Sequence, residues 1–210
     1  MKLIAINVLM DPDPVTAERA RVVNARLRSN FPAGFALDAN HAPHVTLVQC
    51  FVHLDELSAV ATAVAGMLKQ SGPFSLESRA VGYYALTHEN LGLMGIVIEP
   101  TAELRRVQGK VIEALLPYSE KNGTGDAFAP RGDGAPIGQP TVDYVNDFVG
   151  PRTGDNYNPH LTVGIAKSDF VDGLKAEPFE AFAVRPVSIS LYQLGDYGVA
   201  QRTLHDLHRF

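Results

Sequence analysis

Apolar residues fall in short runs along the chain, and the spacing within each run separates strands from helices. Leu3, Ile4, Ala5, Ile6, Val8, Leu9 and Met10 form an apolar stretch broken only by Asn7, which predicts a buried first strand. Asp13-Pro14 supplies a helix start, and Val15, Val22, Val23 and Leu27 recur at helical spacing as far as Asn30. Residues 44–52, rich in β-branched and apolar side chains, predict a second strand. Over 54–70, Leu57, Ala61, Val64 and Leu68 line one face of a helix. Residues 74–86 and 91–98 read as a hairpin turning at 87–90. Thr101 then caps a helix that buries Leu104, Val107, Val111, Leu115 and Ile112 and stops near Pro117.

Between 121 and 140 the pattern lapses into Gly123, Gly125, Gly132, Gly134 and Gly138 with Pro130, Pro136 and Pro140, which predicts a long loop. Loops of this length serve as lids or binding segments, or are simply mobile, and composition does not choose between these. Order returns over 141–149. A strand over 160–166, a short helix over 168–175, an extended stretch over 179–194 with Val187, Ile189 and Leu191 alternating, and a last strand over 199–207 complete the chain. Strands and helices alternate only loosely and hairpins imply antiparallel pairing, so the class is α+β, not a doubly wound parallel sheet.

Composition narrows this picture. The chain has 210 residues, 46% of them hydrophobic and 20% charged, as expected for a single globular domain or one domain of two lobes. No apolar run approaches a membrane span, and the first ten residues lack a small-residue cleavage site, which reads as a strand and not a signal peptide. Cys50 is the lone cysteine, so no internal disulfide forms and a cytoplasmic setting is expected. A net charge of -5 argues against broad binding to a long nucleic-acid backbone but leaves room for a nucleotide or RNA end in a local groove. A monomer is expected.

Two segments share one form: Pro43-His44-Val45-Thr46-Leu47 and Pro159-His160-Leu161-Thr162-Val163. Side chains alternate along a strand, so His44 and Thr46 share one face while Val45 and Leu47 take the other, and His160 and Thr162 do the same. A lone His-x-Thr is ordinarily an imidazole in a structural role; two matched copies half a chain apart suggest two lobes that each bring one strand to a shared groove. The pair resembles the defining signature of the 2H phosphoesterases, in the branch of 2′-5′ RNA ligases and RNA cyclic phosphodiesterases. The approach Phe35-Ala36-Leu37-Asp38 and the closing Leu191-Tyr192-Gln193-Leu194-Gly195 agree with it. The resemblance implies two pseudo-symmetric lobes, each an antiparallel sheet with outer helices, around a central groove. It also places His44 and His160 opposite each other with Thr46 and Thr162 beside them.

Two imidazoles suit cleavage of a phosphodiester because one can accept a proton while the other donates one near neutral pH. The threonine hydroxyls can donate to phosphate oxygens. No metal or other cofactor is needed, and the expected substrate is a small cyclic nucleotide or a short RNA end. Ligation, the reverse reaction, and binding without turnover are the alternatives. His41, Tyr157 and Lys167 are further candidates for substrate contact: His41 at the groove entrance, Tyr157 (or Tyr144) stacking on a base, Lys167 attracting phosphate, with Arg131 and Arg152 as other cations. Pro43 keeps His41 and His44 from forming a helical metal pair. Cys50 shares strand parity with the first motif, although a small core residue is its simpler role.

Overall fold

The computed structural model describes residues 1–210. The pattern of two and the pattern of 3.6 resolve into eight strands and five helices: β1 (Leu3–Pro12), α1 (Pro14–Asn30), β2 (Val45–His53), α2 (Leu57–Gln70), β3 (Ser78–His88), β4 (Leu91–Ile98), α3 (Ala102–Leu115), α4 (Gln139–Asn146), β5 (His160–Lys167), α5 (Ser168–Lys175), β6 (Phe182–Val184), β7 (Pro186–Leu194) and β8 (Ala200–Arg209). Asp13 caps α1, its carboxylate accepting from the Val15 and Thr16 amides at 3.0 Å, and Thr101 caps α3 through the Leu104 amide. Glu89, at a φ of 53°, makes the tight turn between β3 and β4.

The strands form two antiparallel four-stranded sheets, ordered β2-β1-β7-β8 and β5-β4-β3-β6. The fold is therefore α+β, with a His-x-Thr strand at one edge of each sheet. Helices α2 and α3 pack on the first sheet, α1 and α5 on the second. Helix α1 thus leaves β1 of one sheet to lie against β5 of the other. Ile4, Ile6, Val8 and Met10 of β1, Met94, Ile96 and Ile98 of β4, and the inner faces of α1, α2, α3 and α5 join one continuous core. No helix is long and apolar enough to cross a membrane.

Three expectations change. The apolar face of α1 changes in part: Val23 and Leu27 face the core as expected, joined by Ala17, Ala20 and Asn24, whereas Val15 and Val22 are exposed. The extended stretch over 179–194 is two strands in different sheets, β6 beside β3 and β7 beside β1. Arg185 makes the crossing: its carbonyl accepts from the Asp13 amide and its amide donates to the Asp13 carboxylate.

The Gly/Pro-rich segment, third, is anchored. Gly123 sits so close to the Phe51 ring that a methyl there would collide with it, and Ala127 and Phe128 are buried with Ala5, Phe51 and Leu194 against the first sheet. Asp196 staples it, accepting from Arg131 at 2.5 Å, from the Gly138 amide at 3.2 Å and from the Thr141 hydroxyl at 3.0 Å. The segment covers that face around Leu3 and Ala5.

Candidate active site

The two sheets approach each other along their edge strands β2 and β5, which carry the two motifs. Each His follows a proline, whose ring holds the chain extended on entry. His44 Nδ1 lies 2.8 Å from the Ala42 carbonyl, and His160 Nδ1 lies 2.8 Å from the Asn158 carbonyl, two residues back in both cases. A carbonyl only accepts, so each Nδ1 carries the proton and each Nε2 is left free for chemistry.

Thr46 and Thr162 share the face of their histidines, while Val45, Leu47, Leu161 and Val163 are buried in the core. The Asn7 amide donates to Thr46 Oγ1 at 3.0 Å, which leaves the threonine's own proton free for a phosphate oxygen. On the other wall the Tyr84 ring stands edge-on to His160 with 4.7 Å between centroids. Burial pushes the Tyr84 hydroxyl far above its ordinary range, so it remains a neutral donor. Gly95 makes room for that ring: a methyl there would collide with it.

Directly behind each threonine the strand bulges at matching places. Leu9 pairs with Thr46 and Val8 with Val48, leaving Leu47 as the extra residue; Gly95 pairs with Thr162 and Met94 with Gly164, leaving Val163. A bulge reverses parity. Cys50 therefore lies in the core, not on the face of Thr46, and burial pushes its thiol up to about 12. Gln49 takes the groove side instead, its amide 3.5 Å from Thr46 Oγ1.

The two imidazoles sit in unlike surroundings. Met10 pairs with Val45, so Asp11 falls beside His44, whereas Val97 pairs with His160. Asp11 is held by the hydroxyls of Ser188 at 2.7 Å, Ser190 at 2.5 Å and Tyr192 at 3.4 Å. Burial lowers the proton affinity of both imidazoles. For His44 the Ala42 carbonyl opposes the shift, a charge on His160 adds to it and Asp11 opposes it; for His160 only the Asn158 carbonyl opposes it. A charge on His160 is thus felt at His44.

Of the other candidates, His41 sits beside the approach to His44, paired with Asp38 at 3.1 Å and 5.9 Å from the Phe35 ring, which in turn stacks on Tyr197. Tyr157 is buried in the core, so it has no open face for a base; its hydroxyl instead donates to the Thr46 carbonyl at 2.8 Å, tying the approach to His160 to the first motif. Lys167 stands at the far end of β5, seven residues from His160, or roughly 23 Å at about 3.3 Å per residue. That distance removes it from a phosphate held at the histidines. Arg131 is taken up by Asp196 and Asp133. Arg152 lies 4.0 Å over the Tyr144 ring. No three His, Cys, Asp or Glu side chains converge as a metal-binding group.

Asn7, Asp11 and Tyr84 were not singled out by sequence. Only Asn7 carried a signal, as the polar break in an apolar strand; Asp11 and Tyr84 acquire their positions from strand register.

A family model described as the 2′-5′ RNA ligase superfamily matches residues 12–176, a span that holds both motifs. No curated protein sequence matches the chain. Among solved structures, Escherichia coli LigT complexed with 3′-AMP aligns over 100% of this chain and 98% of its own, at 13% identity and a TM-score of 0.49. Kluyveromyces marxianus Usb1 aligns over 96% of both chains, at 11% identity and a TM-score of 0.45.

Proposed function

The chain belongs to the 2′-5′ RNA ligase superfamily, and from that premise we propose that it is a metal-independent phosphodiesterase that opens a 2′,3′-cyclic phosphate on a nucleotide or short RNA end. The observation that carries this reading is the shared state of the two imidazoles: both Nδ1 atoms are tied to backbone carbonyls, and both Nε2 atoms are free.

One neutral imidazole takes a proton from water as the water oxygen bonds to phosphorus. The bond from phosphorus to one ribose oxygen breaks, and the other imidazole, protonated, gives its proton to that oxygen. Thr46 and Thr162 donate to the remaining phosphate oxygens, whose charge grows in the transition state. Burial lowers both imidazoles, and the negative phosphate between them favours charging one of them again, so the acid forms when substrate is bound. Ligation uses the same groups in reverse, and abundant water favours hydrolysis.

His44→Ala and His160→Ala are each expected to cut turnover of a 2′,3′-cyclic nucleotide by about 10²–10⁴-fold while leaving the fold intact. Activity is measured on 2′,3′-cyclic, 3′,5′-cyclic and oligonucleotide substrates, with the product phosphate assigned by NMR. Near-normal turnover in either variant removes the paired-histidine mechanism. Binding of the cyclic nucleotide with no product after long incubation would make the groove a binding site instead. Loss of activity to a chelator, restored by zinc or manganese, would overturn metal independence.

A further inference from the structure

The carbonyls exposed by the two bulges are a structural problem with a matched solution. Each bulge sits on an edge strand three residues after its histidine, where the ladder is broken and a buried carbonyl needs a donor. The Leu47 carbonyl accepts from Gln108 Nε2 at 3.0 Å, and the Val163 carbonyl accepts from Asn24 Nδ2 at 2.9 Å. Gln108 belongs to α3 and is fully buried; Asn24 belongs to α1 and is 5% exposed. Both are polar residues on the apolar face of a helix that precedes, in sequence, the other motif.

The remaining amide atoms complete the pattern. Asn24 Oδ1 accepts from the Leu37 amide at 3.0 Å and its Nδ2 also donates to the Phe35 carbonyl at 3.0 Å, so Asn24 joins the approach to His44 with the bulge behind His160. Gln108 Oε1 accepts from the Gly154 amide at 3.4 Å, so Gln108 joins the approach to His160 with the bulge behind His44. Gly164, at a φ of 146°, lies so near the Asn24 amide that a methyl there would press on it.

We propose that Asn24 and Gln108 are positioning residues: a crossed pair of carboxamides, each fixing the approach to one histidine against the bulge behind the other, and so setting the separation of the two imidazoles. The effect on turnover rests on the paired-histidine reading above, while the effect on the imidazoles themselves does not. Geometry matters at this level because displacing a reacting group by about 1 Å costs on the order of 10²-fold in rate.

The experiment compares Asn24→Leu and Gln108→Leu, which keep approximate volume without hydrogen bonds, with Asn24→Asp and Gln108→Glu, which keep the acceptor atom and lose the donor to the bulge. Each is purified and its folded fraction measured at the assay temperature, so that turnover is expressed per folded molecule. The expected result is a fall in kcat of roughly 10- to 100-fold with KM changed less than about threefold, and a changed separation of the two limbs of the pH–rate profile. In parallel, imidazole ¹⁵N and ¹H NMR shifts are expected to move for both His44 and His160 in each acidic variant, since each amide touches the surroundings of both. If the leucine variants fail to fold, the acidic variants carry the test. Wild-type kcat per folded molecule with unmoved imidazole shifts would overturn the proposal. Moved imidazole shifts in a protein without cyclic phosphodiesterase activity would uphold the clamp and reject the proposed reaction.

Discussion

Across β1, position 11 places a carboxylate beside His44, while the matching position on β4 places Val97 beside His160. Two near-copies of a motif thereby acquire unequal electrostatics. Asp11 raises the proton affinity of His44 against the lowering effect of burial, so Asp11→Asn removes the opposing charge and lowers His44 further. In a bell-shaped pH–rate profile this moves one limb to lower pH and leaves the other in place. Movement of the alkaline limb identifies His44 as the acid, and movement of the acidic limb identifies it as the base; two unmoved limbs would show that Asp11 does not act on His44. The Ser188, Ser190 and Tyr192 hydroxyls all converge on the carboxylate, so Asn at this position retains most of the packing and isolates the charge. The two motifs differ in a related way. Thr46 accepts from the Asn7 amide, whereas the second motif has the Tyr84 ring against His160.

At the scale of elements, the close fit of β3 and β4 explains a glycine that sequence alone left unremarked. Gly95 pairs with Tyr84, whose ring lies across it toward His160. Gly95→Ala is expected to cost about 1–3 kcal/mol of stability by overpacking and to lower turnover as the Tyr84 ring is displaced. Urea denaturation checks the first effect. Adding Tyr84→Leu should recover most of the stability but not the activity; a double variant no more stable than Gly95→Ala would place the crowding elsewhere. The same strands show where sequence legibility ends. Strand parity correctly placed His44 with Thr46 and His160 with Thr162 on shared faces, because two-residue alternation holds up to the bulges. It failed at Cys50, because Leu47 is an extra residue and apolar runs do not announce one. In α1 the valines outweighed the alanines in the pattern, although close packing against β5 selects the small face that includes Asn24. The run over 179–194 read as one strand because a change of sheet at Arg185 leaves alternation unbroken on either side.

For the whole molecule, the groove is bought with desolvated imidazoles, and that has a consequence for stability. His44 and His160 both bind protons less readily in the folded protein than their ordinary value of 6.5, chiefly because burial disfavours the charged ring. The unfolded chain therefore takes up protons first as pH falls. Stability contributed by the neutral rings is present in full above about 6.5 and is lost progressively as pH drops from there toward the lower folded values. The double variant His44→Gln, His160→Gln, which has no titrating group at either place, is expected to lose less stability between pH 6.5 and pH 5 than the wild type. Chemical denaturation at a series of pH values measures this directly. Parallel curves for the two proteins would mean that the imidazoles titrate in the folded state as they do in the unfolded chain, and the electrostatic account of the site would fall with that result. A shallower curve for the variant, with the Asp11→Asn protein steeper than the wild type, would place the pH sensitivity at the histidines and assign its opposing charge to β1.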